Sequence, residues 1–158
     1  MSDARFEDGA EQPLALSAVD EGDLAVMSAL VQDAVFAASE MTYQRRERRF
    51  ALLLNRFRWE DREAASREGR PFERVRSLLT IGDVGRVITQ GVPRGDGDTV
   101  LSLLSLGFEP GPDGTGRLVL VLAGDGAIAL EVECIDLVLR DVTRPYRAIS
   151  GKVPGHGG

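Results

Sequence analysis

The first regular hydrophobic pattern lies near the amino terminus. Residues 14–19 are mostly apolar and predict a short opening strand. Asp20 follows, a residue type that favours the N-cap of a helix, and Asp23 stands three positions further on. Beyond it, apolar residues recur at intervals of three and four: Leu24, Met27, Val31, Ala34 and Val35. This spacing predicts an amphipathic helix over residues 22–35 that packs its apolar face on a sheet.

After Glu40 the pattern changes to the alternation of β-strands. The predicted strands cover residues 41–46, 48–59, 74–81, 84–92, 100–108, 117–123 and 127–139. Residues 60–72 are highly charged and contain Gly69 and Pro71, which predicts a connector with a turn of helix around residues 62–68.

The last predicted strand changes its apolar phase partway along. Apolar residues occupy even positions up to Cys134 and odd positions from Ile135 onward. A shift of one residue is what a β-bulge produces, so the pattern predicts a bulge near Cys134. Because Cys134 lies in an apolar segment, we also expect its thiol to be buried.

Together these elements predict an α+β fold with about seven or eight strands and one N-terminal amphipathic helix. Short connections favour a mostly antiparallel sheet. We expect a strongly curved sheet or a partly open barrel with the helix plugging it; a flat sheet with the helix on one face is the alternative. Residues 13–147 form the predicted single domain, and the polar residues 1–12 and the Gly/Pro-rich residues 148–158 read as flexible tails.

Composition narrows the functional classes. The chain has 158 residues, 43% of them hydrophobic and 28% charged, which is typical of one globular domain. It lacks a run of roughly 18 apolar residues and begins with an acidic stretch, so we expect a cytoplasmic protein with no membrane partner. The formal charge of -6 and a pI near 4.9 disfavour nucleic acid as a partner.

No motif in the sequence predicts a catalytic residue, a cofactor or a metal. The single histidine, His156, stands in the glycine-rich tail, where no fold would hold it beside a nucleophile. The single cysteine rules out an intramolecular disulfide. The Gly-rich turns at 95–97 and 124–126 lead into strand pattern rather than into a helix, so they do not predict phosphate binding.

Arginines and aromatic residues alternate through the predicted hairpin of residues 41–59. The candidate partner surface consists of Arg46, Arg48, Arg49, Arg56, Arg58 and Trp59. Such a surface suits a protein partner or a second copy of the chain. It also suits single-stranded nucleic acid or RNA, although Glu47 and Glu60 would offset its charge, and a solvated, salt-bridged strand edge remains the simplest interpretation.

A second candidate is a polar cluster of Asp141, Arg144 and Tyr146, where Pro145 stiffens the chain. One interpretation is a structural Asp/Arg clamp at the exit of the last strand. The other joins Asp141 and Arg144 to Glu133 as the site of a carboxylate- and arginine-based enzyme of unknown substrate.

Six stretches of the chain resemble a known family. They are residues 6–10 (FEDGA), 30–35 (LVQDAV), 49–60 (RFALLLNRFRWE), 74–79 (RVRSLL), 98–106 (DTVLSLLSL) and 139–146 (LRDVTRPY). Together they resemble the bacterial family called domain of unknown function 2948, and the likeness extends over nearly the whole chain. The resemblance implies a small cytosolic bacterial protein and brings no activity, ligand or catalytic residue.

The sequence therefore favours a non-catalytic binding or assembly module. Its partner would dock on an exposed strand edge or on the arginine and aromatic surface. The carboxylate–arginine enzyme and the nucleic-acid binder are the alternatives.

Overall fold

The computed structural model describes residues 13–92 and 97–147. The predicted tails at residues 1–12 and 148–158 lie outside this part of the chain. The strands are β1 (Ala15–Ala18), β2 (Ala34–Ala37), β3 (Met41–Gln44), β4 (Arg49–Phe57), β5 (Glu73–Ile81), β6 (Val84–Gln90), β7 (Val100–Pro110), β8 (Gly116–Leu122), β9 (Ala127–Val132), β10 (Leu137–Asp141) and β11 (Tyr146–Arg147). The helices are α1 (Glu21–Leu30) and α2 (Arg62–Glu68), with 3-10 turns at Ala38–Glu40, Trp59–Asp61 and Pro112–Gly114. No helix among the described residues has the length and apolar character to span a membrane.

All eleven strands belong to one sheet. Its order is β1-β10-β5-β4-β2-β7-β8-β9-β6, while β3 pairs with β4 and β11 pairs with β5. The strand pairs are antiparallel, as the short connections predict. The path begins at β1 and ends at β6, so the sheet is not closed.

The prediction of the fold class is wrong in two respects. The described residues form eleven strands rather than seven or eight, in a sheet that is not closed. The amphipathic helix over residues 22–35 is not there either. The helix that is present ends at Leu30, Asp33 takes a positive φ of 63°, and residues 34–37 form β2 against β7. Ala34 and Phe36 are buried, and Ala34 fits the spacing of a helix and of a strand equally well.

The predicted bulge near Cys134 is also wrong, because residues 127–139 form two strands with different partners. β9 pairs with β8 and β6, whereas β10 pairs with β5 and β1 at the other end of the sheet. The residues between them bind the β5–β6 link, with Gly82 N–H donating to the Asp136 carbonyl at 2.9 Å. The apolar residues therefore change phase where the chain leaves one part of the sheet, beside β6 and β8, and crosses to another, beside β1 and β5.

Cys134 lies in this crossing and is exposed, so the expectation of a buried thiol is wrong. Its sulfur donates to Asp83 Oδ2 at 3.3 Å. Partial desolvation and the Asp83 carboxylate raise the pKa of the thiol above its usual value. The thiolate is the reactive form, so this environment makes Cys134 less reactive.

One hydrophobic cluster connects most of the sheet with α1. It includes Leu24 and Met27 of the helix, Leu52 and Leu54 of β4, and Leu120 of β8. A second group of apolar side chains lies outside this cluster. It consists of the buried Phe57, Ala65 and Val75, with Trp59 and Phe72 in ring contact with Phe57.

Gly116, at the start of β8, is expected to be intolerant of any side chain. A Cβ at this position would collide with the Phe108 ring and lie 2.6 Å from the Glu109 carbonyl oxygen. We expect Gly116→Ala to lower the free energy of unfolding by about 1–3 kcal/mol, the usual cost of overpacking, when measured by urea denaturation. Gly107→Ala is the matched control, because a Cβ there meets no atom within 4 Å. Equal stability of the two variants would contradict the prediction.

Candidate binding edge

The structure divides the predicted partner surface. Arg56 is fully buried and Arg58 is 6% exposed. Trp59 is half-buried and donates from Nε1 to the Gln32 carbonyl at 3.0 Å. Arg46, Arg48 and Arg49 are exposed, and Arg48 pairs with Glu133 at 3.0 Å. The six residues therefore do not form one surface. Of the five arginines among them, only Arg46, Arg48 and Arg49, in and beside the β3–β4 turn, are exposed for contact with a nucleic acid.

Arg56 is the centre of a buried ionic network. Its two Nη atoms donate to the Glu60 carboxylate at 2.8 Å each, and Nη2 also donates to Asp141 Oδ1 at 3.0 Å. Its Nε donates to Ser77 Oγ at 3.0 Å. Burial alone would lower the pKa of the guanidinium, but Glu60 and then Asp141 outweigh it and raise the pKa. The cation is therefore permanent and is neutralised locally.

Both carboxylate oxygens of Asp141 already accept hydrogen bonds, which leaves neither of them for catalysis. Besides Arg56, its carboxylate accepts hydrogen bonds from Ser77 Oγ at 2.7 Å and from Leu14 N–H at 2.9 Å. The network thus ties β4, β5 and β10 to the residue that precedes β1. Fully hydrogen-bonded buried charges of this kind hold elements together.

No hydrogen bond or ion pair among the described residues joins Asp141 to Arg144 or to Tyr146. Tyr146 accepts a hydrogen bond from the Asn55 side chain, and Arg144 is exposed. Glu133, the third group of the proposed enzyme, is engaged with Arg48. Asp141 does act as a structural clamp, but its arginine is Arg56 rather than Arg144.

A signal for the Arg56–Asp141 pair is present in the sequence, in the parity of the buried positions. Phe50, Leu52, Leu54 and Arg56 share one parity along β4, and all four are buried. Likewise Asp141 continues the buried parity of Leu137 and Leu139 in β10. Opposite charges that extend two apolar stripes indicate a buried pair.

A cleft of about 230 Å³ lies where β2 and β4 diverge. Its walls include Val35, Ala37 and Leu53, with Glu40 and Arg76 as its charged residues. Small-molecule sites usually measure about 300–1,000 Å³, so this cleft is smaller than that class. None of the residues of the proposed enzyme lines it.

β6 is the longest strand among the described residues that has a neighbouring strand on one side only. β6 has seven residues and is the last strand of the path, with β9 on one side only. The other strands with a single neighbour are shorter: β1 and β3 have four residues each and β11 has two. β1 also packs against α1. An edge of this kind leaves backbone N–H and C=O groups available for another strand.

The two ends of β6 are fixed to the rest of the fold. Val84 N–H donates to the Arg48 carbonyl and the Tyr43 hydroxyl donates to the Val84 carbonyl, both at 2.8 Å. The register with β9 shifts between Val84 and Arg86. After Gln90, Gly91 takes a φ of 67° and lies so close to the β8–β9 turn that a Cβ would be 3.1 Å from Gly126 Cα. Residues 86–90, which we call the β6 edge, are therefore a regular segment between the register shift and Gly91.

One face of the sheet beside the β6 edge is only partly covered. We call it the outer face, and its middle row consists of Ile88, Ala129, Val119 and Gly107 in register. The next row is charged and alternates in sign: Arg86, Glu131, Arg117 and Glu109. The side chains of Ile88, Ala129 and Val119 in the middle row are half-buried, and nearby Val121 is 38% exposed. The edge thus borders a half-buried row of apolar residues on the outer face.

Comparison with known proteins identifies a family and nothing more specific. No curated protein and no solved structure matches the chain significantly. A family model described as protein of unknown function (DUF2948) matches residues 14–156. This confirms the resemblance carried by the six sequence stretches, and the chain belongs to this family of proteins of unknown function.

Proposed function

We propose that the protein is a non-catalytic binding module that accepts an extended strand of another polypeptide along the β6 edge. The observation that carries this proposal is the position of β6 at the end of the sheet, with five regular residues beside β9 and no strand on its other side among the described residues. In strand addition, backbone hydrogen bonds supply affinity and alternate side chains supply specificity.

The chemistry of the edge supports this proposal. Sheet edges that must stay single are usually protected by charged residues, prolines or bulges. β6 has a register shift and Arg86 at its beginning, but residues 87–90 (VITQ) contain neither a charge nor a proline. Val87, Ile88 and Thr89 are β-branched and favour the extended conformation in which a neighbouring strand pairs.

Site-specific photo-crosslinking in the native host tests the proposal. A benzophenone amino acid at position 90, which is exposed on the β6 edge, should give a discrete covalent adduct with a protein. The same amino acid at position 138, an exposed position on β10 between β1 and β5, should not. Adding Ile88→Lys should remove the adduct, since a charge at the centre of an edge opposes strand pairing.

A matched lysine variant separates binding from folding. Val138→Lys places the same charge on a strand that already has both neighbours, so it should leave the adduct at position 90 intact. The purified Ile88→Lys protein should keep its unfolding midpoint within a few degrees of the unsubstituted chain. No adduct from position 90, or equal adducts from positions 90 and 138, would refute strand addition at β6.

A further inference from the structure

We infer that the strand added to β6 is β6 of a second copy of this chain, antiparallel, with the two-fold axis passing through Ile88. This inference rests on the proposed function, because it needs the β6 edge to accept a strand. Antiparallel pairing of one strand with its own copy is the arrangement that a two-fold axis generates. Three features of the edge support this occupant and register.

The first feature is the different character of the two faces of the sheet. Successive side chains of a strand point to opposite faces, so a register centred between two residues would place the outer face of one copy beside the core face of the other. An axis that passes through a residue places outer face beside outer face. The half-buried Ile88 and the exposed Arg86 and Gln90 lie on the outer face, while Val87 packs on the core. The axis must therefore coincide with a residue.

The second feature is the length of regular strand. With the axis at Ile88, all five residues of the β6 edge find a partner: Arg86 opposite Gln90, Val87 opposite Thr89, and Ile88 opposite itself. An axis at Val87 would pair Gly85, which lies within the register shift. An axis at Thr89 would pair Gly91, whose left-handed φ of 67° ends the strand. Ile88 is thus the centre of the longest uninterrupted register.

The third feature is charge. Like charges directly opposite each other destabilise a strand pair. In the Ile88 register the only charged residue of the edge, Arg86, faces the neutral Gln90 of the other copy. The two Arg86 side chains lie four residues apart along the strands, about 14 Å, which exceeds the screening length at physiological ionic strength. The apolar middle rows of the two outer faces then meet at Ile88.

Cysteine cross-linking in the Cys134→Ser background tests both the occupant and the register, since the exposed native thiol is removed first. Directly opposed residues of an antiparallel pair have Cα atoms about 4.5–5.5 Å apart, within the range that a disulfide spans. Ile88→Cys should form a covalent dimer on mild oxidation. Arg86→Cys alone and Gln90→Cys alone should not, because each thiol lies about 14 Å along the strands from its copy. An equal mixture of those two variants should give the mixed dimer.

The mass of the protein in solution provides an independent measurement. Analytical ultracentrifugation of the unsubstituted chain should show a dimer that dissociates on dilution. Ile88→Lys should be monomeric at the same concentrations, and Val138→Lys should match the unsubstituted chain. These variants do not depend on oxidation, so they test the occupant even if a cysteine variant folds poorly.

The outcomes separate this inference from the proposed function. A chain that is monomeric at every concentration, with no disulfide at position 88, overturns the second-copy inference. If position 90 still captures a protein in the host under those conditions, strand addition stands with a different partner. If it captures nothing, both fail. A covalent dimer through position 86 or position 90 alone, without one through position 88, overturns the Ile88 register.

Discussion

Replacing Arg56 with methionine is expected to lower the free energy of unfolding by about 3–5 kcal/mol, because it leaves a buried charge without its partner. Asp141 is 7% exposed, and Arg56 supplies its only cationic contact in the described structure. Glu60 can turn to water since its side chain is 29% exposed, but Asp141 cannot. Folded domains are typically stable by about 5–15 kcal/mol, so this loss is a large share of the total. Urea denaturation followed by circular dichroism measures it.

Two further variants identify the cause of that loss. Arg140→Met removes an exposed arginine next to Asp141 in the same strand, and it should change stability by no more than about 0.5 kcal/mol. In a double-mutant cycle, Arg56→Met and Asp141→Leu should be strongly non-additive, because the double variant buries no unpaired charge. Additive effects, or a loss below about 1 kcal/mol for Arg56→Met alone, would show that the network does not hold β4, β5, β10 and the residue before β1 together.

Local features of the fold could be predicted from the sequence. The β8–β9 hairpin follows from two apolar runs around residues 124–126, and it forms there with Asp125 and Gly124 at positive φ. The short helix α2 also lies where the charged connector predicts it. Both elements are formed by residues close together in the sequence, so the local pattern is enough to predict them.

The pairing of distant strands could not be predicted in the same way. Alternation shows that residues 137–141 have a buried side, but it does not show that their neighbours are β5 and β1 rather than β8. For the same reason β6 is recognisable as a strand and not as an end strand, because edge position depends on which other strands find partners. The candidate binding edge therefore becomes visible only with the topology.

The candidate site residues show a related limit. The sequence predicts Arg56 and Arg58 as part of a partner surface, but both are buried, and arginine is rarely buried unless it is paired. Arg58 contacts Glu73 at 2.5 Å and Asp61 at 3.5 Å, and Arg56 contacts a residue 85 positions away. A buried arginine depends on carboxylates that the fold supplies, so its burial follows from tertiary structure rather than from its own segment.

Phe57→Ala is expected to lower the free energy of unfolding by about 3–5 kcal/mol, the usual cost of removing a buried phenylalanine ring. Phe57 is 0% exposed, and its ring centroid lies 4.8 Å from that of Trp59 in an edge-to-face contact and 5.9 Å from that of Phe72. The ring therefore supports the second group of apolar side chains, in which it contacts Trp59 and Phe72. Chemical denaturation measures the change, and Phe57→Leu, which keeps an apolar side chain of similar volume, should cost less than about 1.5 kcal/mol.

Phe57→Ala also distinguishes a buried cluster from the arginine and aromatic docking surface that the sequence predicts around Trp59. If Phe57 belongs to the core, the variant should still form the dimer at protein concentrations and temperatures where it remains folded. The reason is that β4, which carries Phe57, is separated from β6 by other strands of the sheet. A docking surface at Phe57 and Trp59 predicts the reverse, with stability retained and association lost. Retained stability in Phe57→Ala would contradict the buried cluster, because a fully enclosed ring cannot be removed without leaving a cavity or forcing its neighbours to collapse.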